Sequence, residues 1–207
     1  MVRPKVFGGG TPRGGYLGLM HRVRATIERY VPLDDEAWAR IEPMWTLKQH
    51  ERGELVTAAG SVETRFGIME EGVHRIFFEH DGQDHSLGFS YDGSWTGVYD
   101  SFVTGRPARI QLLSLTPSAA WWIDRADLLR AYEEVPAMER FGRLILEEVL
   151  VGRAQREVEM LSLSAKERYR RFMDRSAHLL QLVPQKDIAS YLGMTPETFS
   201  RLRARVR

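Results

Sequence analysis

The sequence predicts an α+β protein: an N-terminal double-stranded β-helix of the jelly-roll or β-roll kind, a long dimerisation helix, and a C-terminal helix-turn-helix. Three observations predict it. Residues 46–124 read as short apolar runs punctuated by Gly53, Gly60, Gly72, Gly82, Gly93 and Gly105, the turn spacing of an all-β sandwich or barrel. Residues 137–161 then run without a proline and carry apolar side chains at helical steps. Finally, residues 185–202 place two short amphipathic segments on either side of Gly193.

In chain order, residues 1–19 are rich in Gly, Pro and Arg and lack the apolar centre of a signal peptide. They read as a tail, with Met20 a candidate start. Residues 20–135 form the expected β-roll domain with its flanking helices. Val23, Ile27 and Tyr30, then Trp38, Ile41 and Trp45, keep a helical period interrupted at Pro32. Asp81-Gly82, between Ile76-Phe77-Phe78 and Leu87-Gly88-Phe89, is a strong hairpin signal, and Glu71-Gly72 predicts a second. Trp121, Trp122 and Ile123 close the β region, and Asp124 is a candidate cap for a short helix.

Residues 136–163 are the expected dimerisation helix. Met138, Phe141, Ile145, Val149 and Gly152 follow in steps of three and four, thickened by Leu144, Leu150, Val151, Val158 and Leu161. A stripe this wide calls for two covering surfaces, the β-roll and a twin helix. The alternative is one helix buried in a monomer core. Ser164-Ala165-Lys166-Glu167 is a capping box that opens residues 164–207, with Leu163 a hinge candidate.

The composition, 43% hydrophobic and 28% charged, suits a globular core, and no apolar run approaches the ~18 residues of a membrane span. With no cysteine, disulfides, cysteine-ligated metals and thiol sensors are excluded. The formal net charge of +1 hides an asymmetry: residues 164–207 carry ten basic against four acidic side chains. A basic module on an acidic body predicts a polyanionic partner for one end.

That end has the chemistry for it. Ile188 and Leu192 share a face, Ala189 allows a close crossing, Gly193 suits a left-handed turn, Thr195 caps and Pro196 opens the second helix. At about 100° per residue, Phe199, Leu202 and Val206 point one way and Glu197, Ser200, Arg201 and Ala204 the other. Arg201 suits guanine O6/N7 and Glu197 suits cytosine N4. Lys186, Thr198, Arg205 and the backbone N–H of Gln185 suit phosphates.

The order of β-roll, long helix and Val183-Pro184-Gln185-Lys186-Asp187-Ile188-Ala189-Ser190-Tyr191-Leu192-Gly193-Met194-Thr195-Pro196-Glu197-Thr198-Phe199-Ser200-Arg201 resembles the Crp/Fnr family of bacterial regulators. The resemblance implies a cytoplasmic homodimer binding double-stranded DNA, with RNA polymerase a candidate partner. It makes Glu197 and Arg201 base-contacting and Thr198 phosphate-contacting, while Pro196 stands where the family has an arginine. It also implies a ligand pocket at Trp95, Gly97, Val98, Tyr99, Ala108 and Arg109. There the family's Gly-Glu-Leu is Gly97-Val98-Tyr99, and its arginine position holds Ala108, with Arg109 displaced by one residue and so turned to the other face. The expectation is therefore either an unidentified small-molecule effector that is not cyclic AMP or a ligand-free β-roll that holds the dimer, with no cofactor. The chain ends at Arg207, so a short form without the β-hairpin wing is expected.

No catalytic constellation emerges. His74, His80 and His85 have no partner carboxylate completing a metal site and are expected to be solvent-facing strand histidines. Ser86, Ser90 and Ser101 lack a nucleophile elbow, and Gly8-Gly9-Gly10 lacks a phosphate loop's spacing. Neither a metal nor a catalytic role is assigned. The competing reading is a β-roll sensor or dimeric scaffold acting through protein partners without specific DNA binding.

Overall fold

The computed structural model describes residues 21–205; the tail 1–19 and Val206 lie outside the described residues. Two short helices lead in, α1 (His21–Glu28) and α2 (Asp35–Ile41). Asp34 caps the second through a 2.8 Å bond from the Ala37 N–H. Strands β1 (Trp45–His50), β2 (Leu55–Thr57), β3 (Arg65–Glu71), β4 (Val73–His80), β5 (Gln83–Tyr91) and β6 (Trp95–Thr96) follow, then helix α3 (Tyr99–Thr104) and strands β7 (Gln111–Ser114) and β8 (Ser118–Asp124). They form two antiparallel four-stranded sheets, ordered β1-β8-β3-β6 and β2-β7-β4-β5.

The six turn glycines all take positive φ, as their spacing requires. At the β4–β5 hairpin Asp81 (φ 51°) and Gly82 (φ 71°) form the two-residue loop, with His80 paired to Gln83. Glu71-Gly72 is not a hairpin. β3 pairs with β8 and β6, whereas β4 pairs with β5 and β7, so Gly72 carries the chain from one sheet to the other. A Cβ on Gly72 would meet Ser118 Cβ at 2.5 Å, and its φ of +88° suits only glycine. The same turn chemistry thus serves a corner between sheets.

β8 is buried on both faces. Ala120 and Trp122 enter the space between the sheets with Met69, Val98, Ala108 and Leu112. Trp121 and Ile123 point the other way, into the main core with Ile27, Ile41, Phe102 and Leu128. That alternation is the strand's two-residue period, with apolar partners on both sides.

Helix α4 (Arg125–Glu134) leads to α5 (Pro136–Ser162) with Pro136 in its first turn. Asp124 stands at the N-cap of α4, but its side chain makes no cap hydrogen bond. On α5, Met138, Phe141 and Ile145 are buried in the chain's own main core, Val149 is half-buried and Gly152 is exposed. The first three are therefore not the face that meets a twin helix, because the β-roll and the leading helices already cover them. The apolar residues left in solvent are Leu146, Leu150, Val151, Val158 and Leu161, the last 82% exposed. They lie on the opposite side of the helix at 100° per residue.

Candidate nucleic-acid interface and effector cavity

The chain leaves α5 at Leu163 in extended conformation and enters α6 (Ala165–Ser176) through the predicted capping box, both of whose reciprocal bonds are present. A 3-10 turn (Ala177–Gln181) leads to α7 (Gln185–Tyr191) and α8 (Pro196–Ala204). Ile188, Ala189, Leu192 and Phe199 are buried with Tyr169, Phe172, Leu179 and Val183, and Leu202 packs on them from the rim. Tyr169 and Phe199 meet edge-to-face at 5.6 Å.

The corner between α7 and α8 is fixed by backbone and by arginine. Gly193 takes φ +62°, and the Met194 N–H reaches the Ala189 carbonyl at 3.0 Å. Arg168 of α6 donates to the carbonyls of Leu192 (2.8 Å), Gly193 (3.2 Å) and Leu163 (2.5 Å), satisfying groups that a helix end leaves open. Sequence reasoning assigned Arg168 nothing beyond charge. Thr195 caps α8 by accepting from the Thr198 N–H at 3.3 Å.

The groups predicted to face DNA are mostly exposed. Glu197, Ser200 and Arg201 are exposed on α8 and Arg205 at its C-cap, Thr198 is half-buried on the same helix, and Gln185, Lys186 and Thr195 are exposed at the starts of the two helices. Arg201 Nη2 rests 3.2 Å from Thr198 Oγ1. Backbone donors at the start of α8, chiefly the N–H of Glu197 itself, and the Thr195 hydroxyl hold the Glu197 carboxyl below its ordinary value, so it accepts rather than donates. Among the other basic residues, Arg171 and Arg175 are occupied by Glu159 of α5 at 2.9 and 3.0 Å. Lys166 and Arg170 line a small groove with Tyr169 and Leu202, and the predicted contact residue Arg205 lines it too.

This unit is docked on its own β-roll. Ser190 Oγ accepts from the Ser86 N–H at 2.9 Å and donates to the Asp84 carbonyl at 3.2 Å. Arg75, on β4, donates to Ser86 Oγ and Asp84 and sits 3.3 Å from Asp187 of α7. Burial raises the Asp187 carboxyl above its ordinary value, against the pull of Arg75 and Lys186. Neither Arg75 nor Asp187 carried a sequence signal, because their pairing spans more than a hundred residues.

A cavity of about 680 Å³ opens between the β-roll and α5. Phe66, Ile76, Trp95, Val98, Ile110 and Val149 give it apolar walls, and Asp100, Arg153, Arg156 and Glu157 a charged rim. Of the predicted pocket residues, Trp95, Gly97, Val98 and Tyr99 line it. Ala108 and Arg109 do not: Ala108 is buried between the sheets, and Arg109 is exposed to solvent. Arg109 stands in a bend between α3 and β7 and not on a strand, so the two-residue period of a strand does not account for its place.

The histidines correct another expectation. His74 is fully buried, its ring nitrogens 2.8 Å from Thr96 Oγ1 and 2.9 Å from Ser118 Oγ, with the His50 ring 5.5 Å away. Burial first, then the nearby His50, lowers its pKa to about 4. It faces the inter-sheet space, where hydroxyls stand in for water. His80 is exposed and His85 half-buried, and among the described residues no three His, Asp or Glu side chains converge as a metal site.

No protein-family model and no curated protein sequence matches this chain. Solved structures do. FixK2 of Bradyrhizobium japonicum superposes with a TM-score of 0.66 at 18% identity, over 78% of this chain and 84% of that one. A Crp/Fnr-family transcriptional regulator from Eubacterium rectale gives 0.65 at 12% identity, over 86% and 87%. This chain has the Crp/Fnr fold. The c-di-GMP responsive global regulator CLP of Xanthomonas campestris shares the Crp/Fnr architecture as well, at a TM-score of 0.63 and 16% identity over 84% and 91% of the chains. Identities this low carry the arrangement of sheets and helices and leave the identity of each contact to the side chains present here. Val98 and Ala108 are the residues that the sequence resemblance set against the family's glutamate and arginine.

Proposed function

We propose that this chain is a DNA-binding transcription regulator of Crp/Fnr type, a homodimer that reads the major groove with the helix beginning at Pro196. The observation that carries the reading is the division of α8: Phe199 is completely buried, while Glu197, Ser200 and Arg201 stand clear of the protein. A recognition helix needs that division, with N-terminal side chains free to reach base edges. Lys186, Thr198, Arg205 and the Gln185 N–H flank it as phosphate contacts.

The dimer seam belongs to the exposed side of α5. Val151, Ala154, Val158 and Leu161 follow steps of three, four and three, the spacing of alternating a and d positions in a two-stranded coiled coil. All four are exposed in the single chain. Pairing them places the two α8 helices symmetrically, for half-sites about one helical turn of DNA apart.

The cavity beneath α5 is the effector site of this reading. Its apolar walls suit a small organic molecule. The effector in this reading is not cyclic AMP, because Val98 stands in the cavity wall where a ribose-gripping glutamate is needed and Arg109 is not among the lining residues. RNA polymerase is the further partner, the site of action is the cytoplasm, and the chain is assigned no catalysis. Among the described residues no helix is long and apolar enough to cross a membrane.

Binding to duplexes from the chain's own upstream region, against random duplex and over a range of salt, tests this. Specific binding should exceed random binding by about 10³-fold or more, and both should weaken steeply with salt. Cyclic AMP should leave both unchanged. Equal affinity for own and random DNA would favour the scaffold reading instead.

A further inference from the structure

Two side chains of α5 serve two places at once. Arg156 and Met160, one helical turn apart, both line the cavity. Arg156 also donates from Nη2 to the Tyr191 carbonyl at 2.7 Å, and its guanidinium carbon lies 4.0 Å from the centroid of the Tyr191 ring. Met160 lies against the turn: a Cβ built on Gly193 would meet its terminal methyl at 2.4 Å. Tyr191 ends α7 and Gly193 makes the corner. Two side chains of the cavity wall therefore also brace the helix-turn-helix, in addition to Arg168, Ser190 and Arg75.

We propose that Arg156 and Met160 couple the cavity to the helix-turn-helix, and that the ligand which works this link is a small amphipathic monoanion. The proposal rests on the cavity being the effector site. An aromatic or aliphatic body fits against Phe66, Trp95 and Ile110, while a carboxylate, sulfonate or phenolate reaches Arg156 and its rim neighbour Arg153. Asp100 and Glu157 on the same rim disfavour a second negative charge.

The physics of the exchange is a competition for one guanidinium. Tyr191 offers it a neutral carbonyl, whereas an anionic ligand offers charge-assisted bonds roughly twice as strong, in a forked geometry that arginine matches. Drawing Arg156 into the cavity removes both the hydrogen bond and the cation–π contact from Tyr191. The ligand's body at the same time shifts Met160 from Gly193. The corner between α7 and α8 then loosens, although the ligand touches neither helix.

Amide hydrogen exchange on the full chain tests this with 1-anilinonaphthalene-8-sulfonate, an aromatic monoanion whose fluorescence reports its own binding. No DNA is present, so the outcome is independent of DNA recognition. In the wild-type chain the sulfonate should speed exchange at Gly193 and Met194, whose N–H groups bond Ser190 and Ala189, by about tenfold. Arg156→Gln should show that faster exchange without the sulfonate, and adding the sulfonate should change it no further. Arg156→Lys, which keeps the charge but loses the planar fork, should fall between. Saturable binding with unchanged exchange, or an equal rise in wild type and R156Q, rejects the coupling alone. No saturable binding rejects the effector site together with it.

Discussion

Arg75 and Asp187 face each other at 3.3 Å across the junction of the β-roll and the first helix of the helix-turn-helix, with side chains only 4% and 5% exposed. Arg75 is satisfied from both sides, by Ser86 and Asp84 of β5 and by Asp187 of α7. It joins the β-roll and the helix-turn-helix through buried charge, an arrangement in which losing one partner is far worse than losing both.

Arg75→Ala should therefore lower stability by about 3–5 kcal/mol, because it strands Asp187 without its cation. Arg75→Met combined with Asp187→Leu should recover most of that loss. Urea unfolding of the three chains checks it. A double variant no more stable than Arg75→Ala would mean that the pair contributes through its hydrogen bonds and not through compensation of charge.

His74 predicts an acid dependence of stability. Its pKa is lowered from 6.5 to about 4 in the folded chain, so between those values the unfolded chain binds a proton that the folded one refuses. The stabilisation is fully present above about pH 6.5 and is lost as pH falls toward 4, to the extent of about 3 kcal/mol. His50 and Glu54 face the same ring and act in opposite directions, the first lowering and the second raising its pKa. Urea midpoints of wild type and His74→Gln at pH 7 and pH 4.5 read the effect. The wild type should lose about 2–3 kcal/mol more than the variant over that interval. Parallel losses would assign the acid sensitivity to other groups.

The seam on α5 predicts an oligomeric change. Val158→Glu puts a charge at an a position and should give a folded monomer by light scattering, with unchanged far-ultraviolet circular dichroism. DNA affinity should fall by about 10²–10⁴-fold, the loss expected when two half-sites no longer bind as one unit. Met138→Ala, buried in the chain's own core, should instead lower stability by about 2–5 kcal/mol and leave the dimer intact. If Met138→Ala gave the monomer and Val158→Glu did not, the seam would lie on the other side of the helix.

What the sequence disclosed divides by range. The helix-turn-helix was legible because Ile188, Leu192, Gly193, Thr195 and Pro196 act over one or two turns, where spacing alone fixes geometry. The Asp81-Gly82 hairpin was legible for the same reason. Glu71-Gly72 misled because a positive-φ glycine turns the chain without saying which strand comes next to it. The stripe from Met138 to Ile145 was legible as apolar, but periodicity cannot say which surface covers it, and the chain's own β-roll does. His74 was unreadable: its burial depends on Thr96 and Ser118, 22 and 44 residues away. The short helix Tyr99–Thr104, with no side-chain cap, was hidden in a run otherwise read as strand.

Selection of binding sites from a random duplex library tests the central claim most directly, with wild type and Arg201→Ala run side by side. The account predicts that wild type enriches a two-fold symmetric site whose half-sites lie about 10 base pairs apart. Arg201→Ala should relax preference at one base pair in each half-site, worth about 1–3 kcal/mol, and leave the others intact. Enrichment of no sequence by the wild type, or an asymmetric site with no half-site repeat, would contradict it.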